Sequence, residues 1–186
     1  MPRNQRPKRI VISKVYTKAG DDGTTTLGDL TRVPKNHLQI VAYADVDEAN
    51  SAIGAAIAIG RVPDGVADIL RKIQNDLFDV GADLSVPFDS TVGTRRLRID
   101  QSYIDRLELG SHQLLDKMTA TGWTRCDSVT PSRAMLEVAA AAIRRASTSV
   151  SAAAEAEVDV NPLITGYLDQ LSIALRNIAV IDCPPA

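Results

Sequence analysis

Apolar residues return at steps of three and four through five separate stretches of this sequence. Such spacing commits the chain to helices packed on one another. The first stretch carries Val46, Ala49, Ile53, Ala56, Ile57 and Gly60 and breaks at Pro63 and Gly65, and the second carries Ile69, Ile73, Leu77, Val80 and Leu84, with Pro87 beyond it. Asp100 is placed to cap a third, with Ile104, Leu107, Leu114, Leu115 and Met118. Thr130-Pro131 joins a good N-cap to a proline at the first helical position and opens an alanine-rich run to about Ala156. That run suits a close helix contact. Asn161-Pro162 repeats the start signal before Leu163, Tyr167, Leu168, Leu171, Leu175 and Ile178, and Pro184-Pro185 ends the pattern. Strand-like alternation is confined to IVISKVY near the start. The predicted fold is all-α, a five-helix bundle.

The chain's 186 residues, 45% of them apolar, suffice for one core and are too few for two. Residues 1–14 hold Arg3, Arg6, Lys8, Arg9 and Lys14 with no acid, which reads as a mobile basic arm before a single domain at 15–186. Twenty-one basic against 23 acidic side chains leave a net charge of -2, so no whole-surface attraction to nucleic acid or anionic membrane is expected. No apolar run reaches the roughly 20 residues of a spanning helix, and the N-terminus lacks the apolar core of a signal peptide. A cytoplasmic protein with small-molecule or protein partners is expected. Cys126 and Cys183 are far apart and without a CxxC or neighbouring His, which argues against a disulfide framework or a metal site.

Residues 15–37 are rich in Gly, Thr, Asp and Pro, and the segment is too long for an idle connector. An irregular loop is expected. Within Thr17-Lys18-Ala19-Gly20-Asp21-Asp22-Gly23-Thr24-Thr25-Thr26-Leu27, glycines let backbone N–H groups turn inward, hydroxyls add donors, and Lys18 adds a point charge. These features suit a polyphosphate. Asp21 and Asp22 would repel phosphate unless an Arg or a metal mediates, as in a magnesium–nucleotide complex. The same residues also describe a plain surface turn. Asp47 and Asn50, three residues apart on one helix face, could hold a nucleotide or a partner's arginine, or serve as a solvated first turn. Arg144-Arg145 could meet phosphates or keep one helix face wet.

The run YTKAGDDGTTTLGDLTRVPKN, followed by AYADVDEANSAIGAA, IQNDLFDVGADLS and RIDQSYIDRLE, resembles the PduO-type ATP:cob(I)alamin adenosyltransferases over about residues 15–107. In that family TKxGDxGxTxL forms the nucleotide loop and AYGxxDELNxxIG opens the first helix. The resemblance implies a five-helix bundle assembled as a trimer, with ATP and its magnesium in the cleft between subunits. It also implies transfer of the 5'-deoxyadenosyl group to the reduced cobalt of a corrinoid. By position, Thr17, Lys18, Gly20, Asp21, Gly23, Thr24 and Thr25 match the loop around the triphosphate, and Lys35 a lysine that reaches the phosphates. Asp47 and Asn50 match DELN, whose Asp pairs with an Arg of the adjacent subunit. Arg144 and Arg145 match a retained double Arg, with Arg144 and Asp47 as the catalytic candidates.

The second half departs from the family pattern. Against FVLPGGSPxxALLHVARTVxRRAER the chain reads TRCDSVTPSRAMLEVAAAAIRRAST. An ungapped alignment puts Thr124 at an aromatic position, Ser128-Val129 at Gly-Gly, Glu137 at His, Ala140 at the Arg that pairs with the DELN Asp, and Ser147 at Glu. In the last helix Asp169 replaces Asn, Gln170 Arg, Ile173 Asp and Arg176 a cofactor-facing Phe. The expectation is an ATP-binding corrinoid adenosyltransferase-like protein that transfers 5'-deoxyadenosyl to reduced cobalamin if the family activity survives these replacements, with adenosylation slow or absent. The alternatives are the same fold acting on a smaller acceptor, or a non-catalytic subunit paired with an intact paralogue.

Overall fold

The computed structural model describes residues 20–60, 62, 64–88, 97–121 and 129–180. The basic arm, Thr17, Lys18, Thr124, Ser128 and both cysteines lie outside the described residues. Five helices follow a short hairpin: β1 (Thr24–Thr26), β2 (Arg32–Pro34), α1 (Leu38–Ile59), α2 (Asp64–Leu84), α3 (Gln101–Thr121), α4 (Pro131–Glu155) and α5 (Leu163–Ala179).

The hairpin is a departure from the expected irregular loop. Thr24 pairs with Pro34, Thr25 with Val33 and Thr26 with Arg32, antiparallel. Three residues per strand are too few to show an alternation, and the pairing is closed by the turn bonds Leu30 N to Leu27 O and Leu27 N to Thr31 O. The first helix also starts eight residues before Val46. Its first turns bury Gln39 and Ala42, a polar and a small residue that carry little apolar signal.

α1 packs against α4 and α2, α4 against α5, and α5 against α3. Arg145 meets Glu48 while Ser149 meets Asp45, so α1 and α4 run antiparallel. Their buried faces are Ala42, Val46, Ala49, Ile53 and Ala56 on one side, and Leu136, Ala139, Ile143, Ala146, Val150 and Ala153 on the other. Small residues alternating with branched ones let the two backbones approach closely. α5 contributes Tyr167, Leu168, Leu171 and Leu175, each fully buried. Each such leucine supplies about 1.5–3 kcal/mol of transfer free energy.

The start signals at Asp100 and Thr130-Pro131 act as the sequence indicates, while α5 begins one residue later than Asn161-Pro162 indicates, with Pro162 in the cap position. Thr130 Oγ1 accepts from Arg133 N at 3.1 Å, with Pro131 following it. Asp100 Oδ1 accepts from Ser102 N, and Asn161 Oδ1 accepts from Leu163 N. Side-chain bonds then close α2 onto α3 and α5. Arg106 Nη2 donates to Asp76 Oδ1 at 2.8 Å, Tyr103 Oη to Asp79 Oδ2 at 3.0 Å and Tyr167 Oη to Asp76 Oδ2 at 3.2 Å.

Candidate functional site

The hairpin holds most of the described loop residues together. Gly23 takes φ +79°, a left-handed value that glycine adopts without strain, and its N–H donates to Gly20 O. The chain then returns so that Lys35 N donates to Gly23 O at 2.9 Å. The Lys35 ammonium lies against Gly20, where a Cβ would come within 3.2 Å of Nζ. Gly20, Gly23, Thr24, Thr25 and Lys35 therefore form one cluster with a cation at its mouth.

Asp22 has a different role from the one its sequence position suggests. Its Oδ1 accepts from the Thr24 hydroxyl at 2.7 Å and from Thr24 N at 3.0 Å, and Arg32 Nη2 donates to both carboxylate oxygens, at 3.1 and 3.0 Å. The Thr24 side chain, then the Thr24 backbone, then Arg32 hold the Asp22 carboxyl below the usual range. Thr24 and Arg32 thus share the Asp22 carboxylate within the hairpin. Asp21 beside it is exposed. Arg32 was not among the residues singled out from the sequence, although a cation eight residues after Thr24 is where a short hairpin would bring one back.

Asp47 and Asn50 line a groove of about 230 Å³ between α1 and α2, together with Tyr43, Phe78, Gly81 and Ser85. Asn50 is 6% exposed, and its Oδ1 is buried without a hydrogen-bond partner among the described residues. Its Nδ2 reaches Gln74 O at 3.5 Å and its backbone O accepts from Gln74 Nε2 at 3.2 Å, so the side chain faces the α1–α2 seam. An unpaired buried acceptor is costly, and a donor entering the groove would relieve it. Asp47 is exposed at the same groove, and Tyr43 and Phe78 are exposed aromatic walls. Ser85 also receives the hairpin, through Gly28 N to Ser85 O at 2.7 Å, so the groove opens beside the hairpin loop.

Arg144 and Arg145 diverge. Arg145 Nε donates to Asp45 Oδ1 at 3.0 Å and its Nη2 bonds Glu48, so α1 carboxylates within the same chain already meet its charge. Asp45 and then Glu48 hold it more firmly protonated. Arg144 is exposed on the outer face of α4, in line with Glu137, Ala141 and Thr148. Glu137 itself is engaged by Arg133 Nε at 3.1 Å.

Of the departing positions that are described, Ala140 and Ser147 are buried, Val129 and Glu137 are exposed, and Asp169, Gln170, Ile173 and Arg176 form one exposed strip along α5. Ser147 and Asp169 touch each other.

Residues 15–180 match the model of a family described as cobalamin adenosyltransferase. The chain is 46% identical over 164 residues to a corrinoid adenosyltransferase of Mycobacterium bovis, covering 88% of this chain and 85% of that protein. It is 32% identical over 170 residues to one from Bacillus subtilis, covering 86% and 81%. Among solved structures it resembles a variant PduO-type ATP:corrinoid adenosyltransferase from Lactobacillus reuteri complexed with cobalamin and ATP, with a TM-score of 0.75, 27% identity and 90% of each chain covered. A match spanning 88% of the chain runs through α4 as well as the hairpin, so the likeness is not confined to the first half.

Proposed function

The chain belongs to the cobalamin adenosyltransferase family, and we propose that it transfers the 5'-deoxyadenosyl group of ATP to a reduced corrinoid. The cobalt electron pair attacks the 5' carbon, a cobalt–carbon bond forms, the carbon–oxygen bond breaks, and triphosphate leaves with the bonding pair. The observation that carries this reading is the Gly20–Lys35 cluster, a cation against turned backbone within a chain that matches the family from residue 15 to residue 180.

In this reading Thr17, Lys18, Gly20, Asp21, Gly23, Thr24 and Thr25 surround the triphosphate and Lys35 neutralises it. Negative charge grows on the leaving group during transfer, so fixed cations lower the barrier. Magnesium arrives on the phosphates of ATP. Arg144, exposed on α4, supplies a further cation to the site of a neighbouring copy in a homotrimer, and Asp47 faces the same seam with Asn50 beside it. Arg145 acts by holding α4 to α1 through Asp45 and Glu48, which meet its charge. Because Ala140 is a core residue, the cation that meets Asp47 across copies has to come from elsewhere, and Arg144 is one turn along the same helix. The exposed strip Gln170, Ile173 and Arg176 then borders the corrinoid.

No described helix is long and apolar enough to cross a membrane. Dependence on ATP and a strongly reduced acceptor fits a cytoplasmic setting. The test is anaerobic incubation of protein, MgATP and cob(I)alamin with the visible spectrum recorded. Formation of the alkylated corrinoid only with all three present is expected, and triphosphate should appear in equal amount.

A further inference from the structure

The last turn of α2 and the residues just after it, 85–88, present carbonyls that the helix cannot satisfy, and other segments fill them one after another. Leu84 O accepts from Gln39 Nε2 at 2.6 Å and Ser85 O from Gly28 N at 2.7 Å. Arg98 Nη1 donates to Asp83 O at 3.0 Å and Val86 O at 3.2 Å, and its Nη2 to Pro87 O at 2.6 Å and Phe88 O at 3.0 Å. The same guanidinium is seated on the buried Asp83 carboxylate at 2.5 Å, whose other oxygen accepts from Ile99 N and from Asn161 Nδ2. The end of α2 is thereby fixed to the segment before α3 and to the start of α5.

The Gly28–Ser85 bond ties the hairpin loop to this fixed end. There is no room for a side chain at Gly28: a Cβ would lie 2.7 Å from Val86 Cγ2, 2.8 Å from Ser85 Oγ and 3.2 Å from Ser85 O. Ser85 also lines the groove that holds Asp47 and Asn50. Any displacement at Gly28 therefore changes the spacing between the Gly20–Lys35 cluster and the groove.

We propose that Gly28 is a positioning residue for the hairpin, and that Arg98 sets its seat by holding the end of α2. The inference rests on the reading of the hairpin as the ATP-binding segment. Gly28→Ala pushes the hairpin off α2 while leaving the helical core untouched. Arg98→Lys keeps the charge opposite Asp83 but loses the planar fork that reaches four carbonyls.

The experiment compares full-length wild type, Gly28→Ala, Arg98→Lys and the triple variant Gly28→Ala, Ser85→Ala, Val86→Ala. MgATP affinity is measured by calorimetry, amide hydrogen exchange over residues 24–34, and steady-state constants for ATP and corrinoid. Gly28→Ala should weaken ATP binding about tenfold, the equivalent of about 1.4 kcal/mol, and speed hairpin exchange. Its kcat at saturating ATP, its corrinoid KM and its melting temperature should stay at wild-type values. The triple variant, which removes Ser85 Oγ and Val86 Cγ2, should recover most of the affinity, and Arg98→Lys should fall between. Wild-type ATP affinity in Gly28→Ala, or a parallel loss of ATP and corrinoid affinity with a lower melting temperature, overturns the proposal. If the wild type binds no ATP the functional reading fails by itself. Hairpin exchange then decides the seating, with faster exchange in Gly28→Ala supporting it and unchanged exchange overturning it.

Discussion

Ser147 Oγ on α4 donates a hydrogen bond to Asp169 Oδ1 on α5 at 2.6 Å. These are two of the positions where the sequence departs from the family pattern, so what reads as two separate losses is one local exchange. A hydroxyl and a carboxylate now meet where a carboxylate and an amide are the pattern, and donor and acceptor remain matched. Ser147→Ala should cost about 1 kcal/mol and lower the melting temperature by roughly 2–4 °C. An unchanged transition would mean that the two helices do not share this bond in solution.

Asp83 has its side chain fully buried and receives Arg98, Ile99 N and Asn161 at once. Asp83→Ala would take from the partly buried Arg98 its counter-charge and from the buried Ile99 N its acceptor. The expected loss is about 3–5 kcal/mol, measured as a shift of the denaturant midpoint at constant slope. A loss below about 1 kcal/mol would show that the pair behaves as a surface salt bridge.

The helices and their caps were legible because periodicity, Thr130-Pro131, Asp100 and Asn161 are local signals. The site was legible only in part. Gly20, Gly23 and Lys35 come together through a hairpin whose strands are too short to leave a pattern. Asp22 looked like a phosphate-side carboxylate, yet its role is set by Arg32, a partner that only the strand register brings near. Ala140 looked like a missing surface charge, and helix packing makes it a core residue. Gly28 and Arg98 carried no signal, because a steric limit and a reach for carbonyls depend on where α2 ends.

Burial pushes the Tyr103 phenol up, and Asp79, accepting its hydroxyl, adds to this, so that it rises from 10.0 to about 12. The folded state holds this proton more tightly than the unfolded chain. The corresponding stability is complete below pH 10.0 and is lost as the pH rises towards 12. A tyrosinate absorbance titration should contain a step near pH 12 that Tyr103→Phe removes. A variant whose titration overlays the wild type would contradict the Tyr103–Asp79 bond.

Lys35 is exposed and anchors nothing in the core. Lys35→Ala should reduce MgATP affinity by about tenfold or more with no change in melting temperature. Equal affinity in calorimetry would remove Lys35 from the phosphate site.

A homotrimer with Asp47 at the seam should be seen by native mass spectrometry at micromolar concentration. Asp47→Ala should shift the population towards monomer. A wild-type monomer under the same conditions would contradict every assignment that draws on a second copy.

Alkylation of cobalt by this chain is the most direct test of its function. Purified protein, MgATP and cob(I)alamin under anaerobic conditions should give an ATP-dependent spectral change to the adenosylated corrinoid, with one triphosphate per turnover and a rate below the roughly 10 per second typical of enzymes. Lys35→Ala should slow it at subsaturating ATP. Tight ATP binding with no cobalt–carbon bond formed would contradict the account, and would leave Thr124, Val129, Ala140 and Arg176 as the marks of a bundle that keeps the nucleotide and has given up the corrinoid.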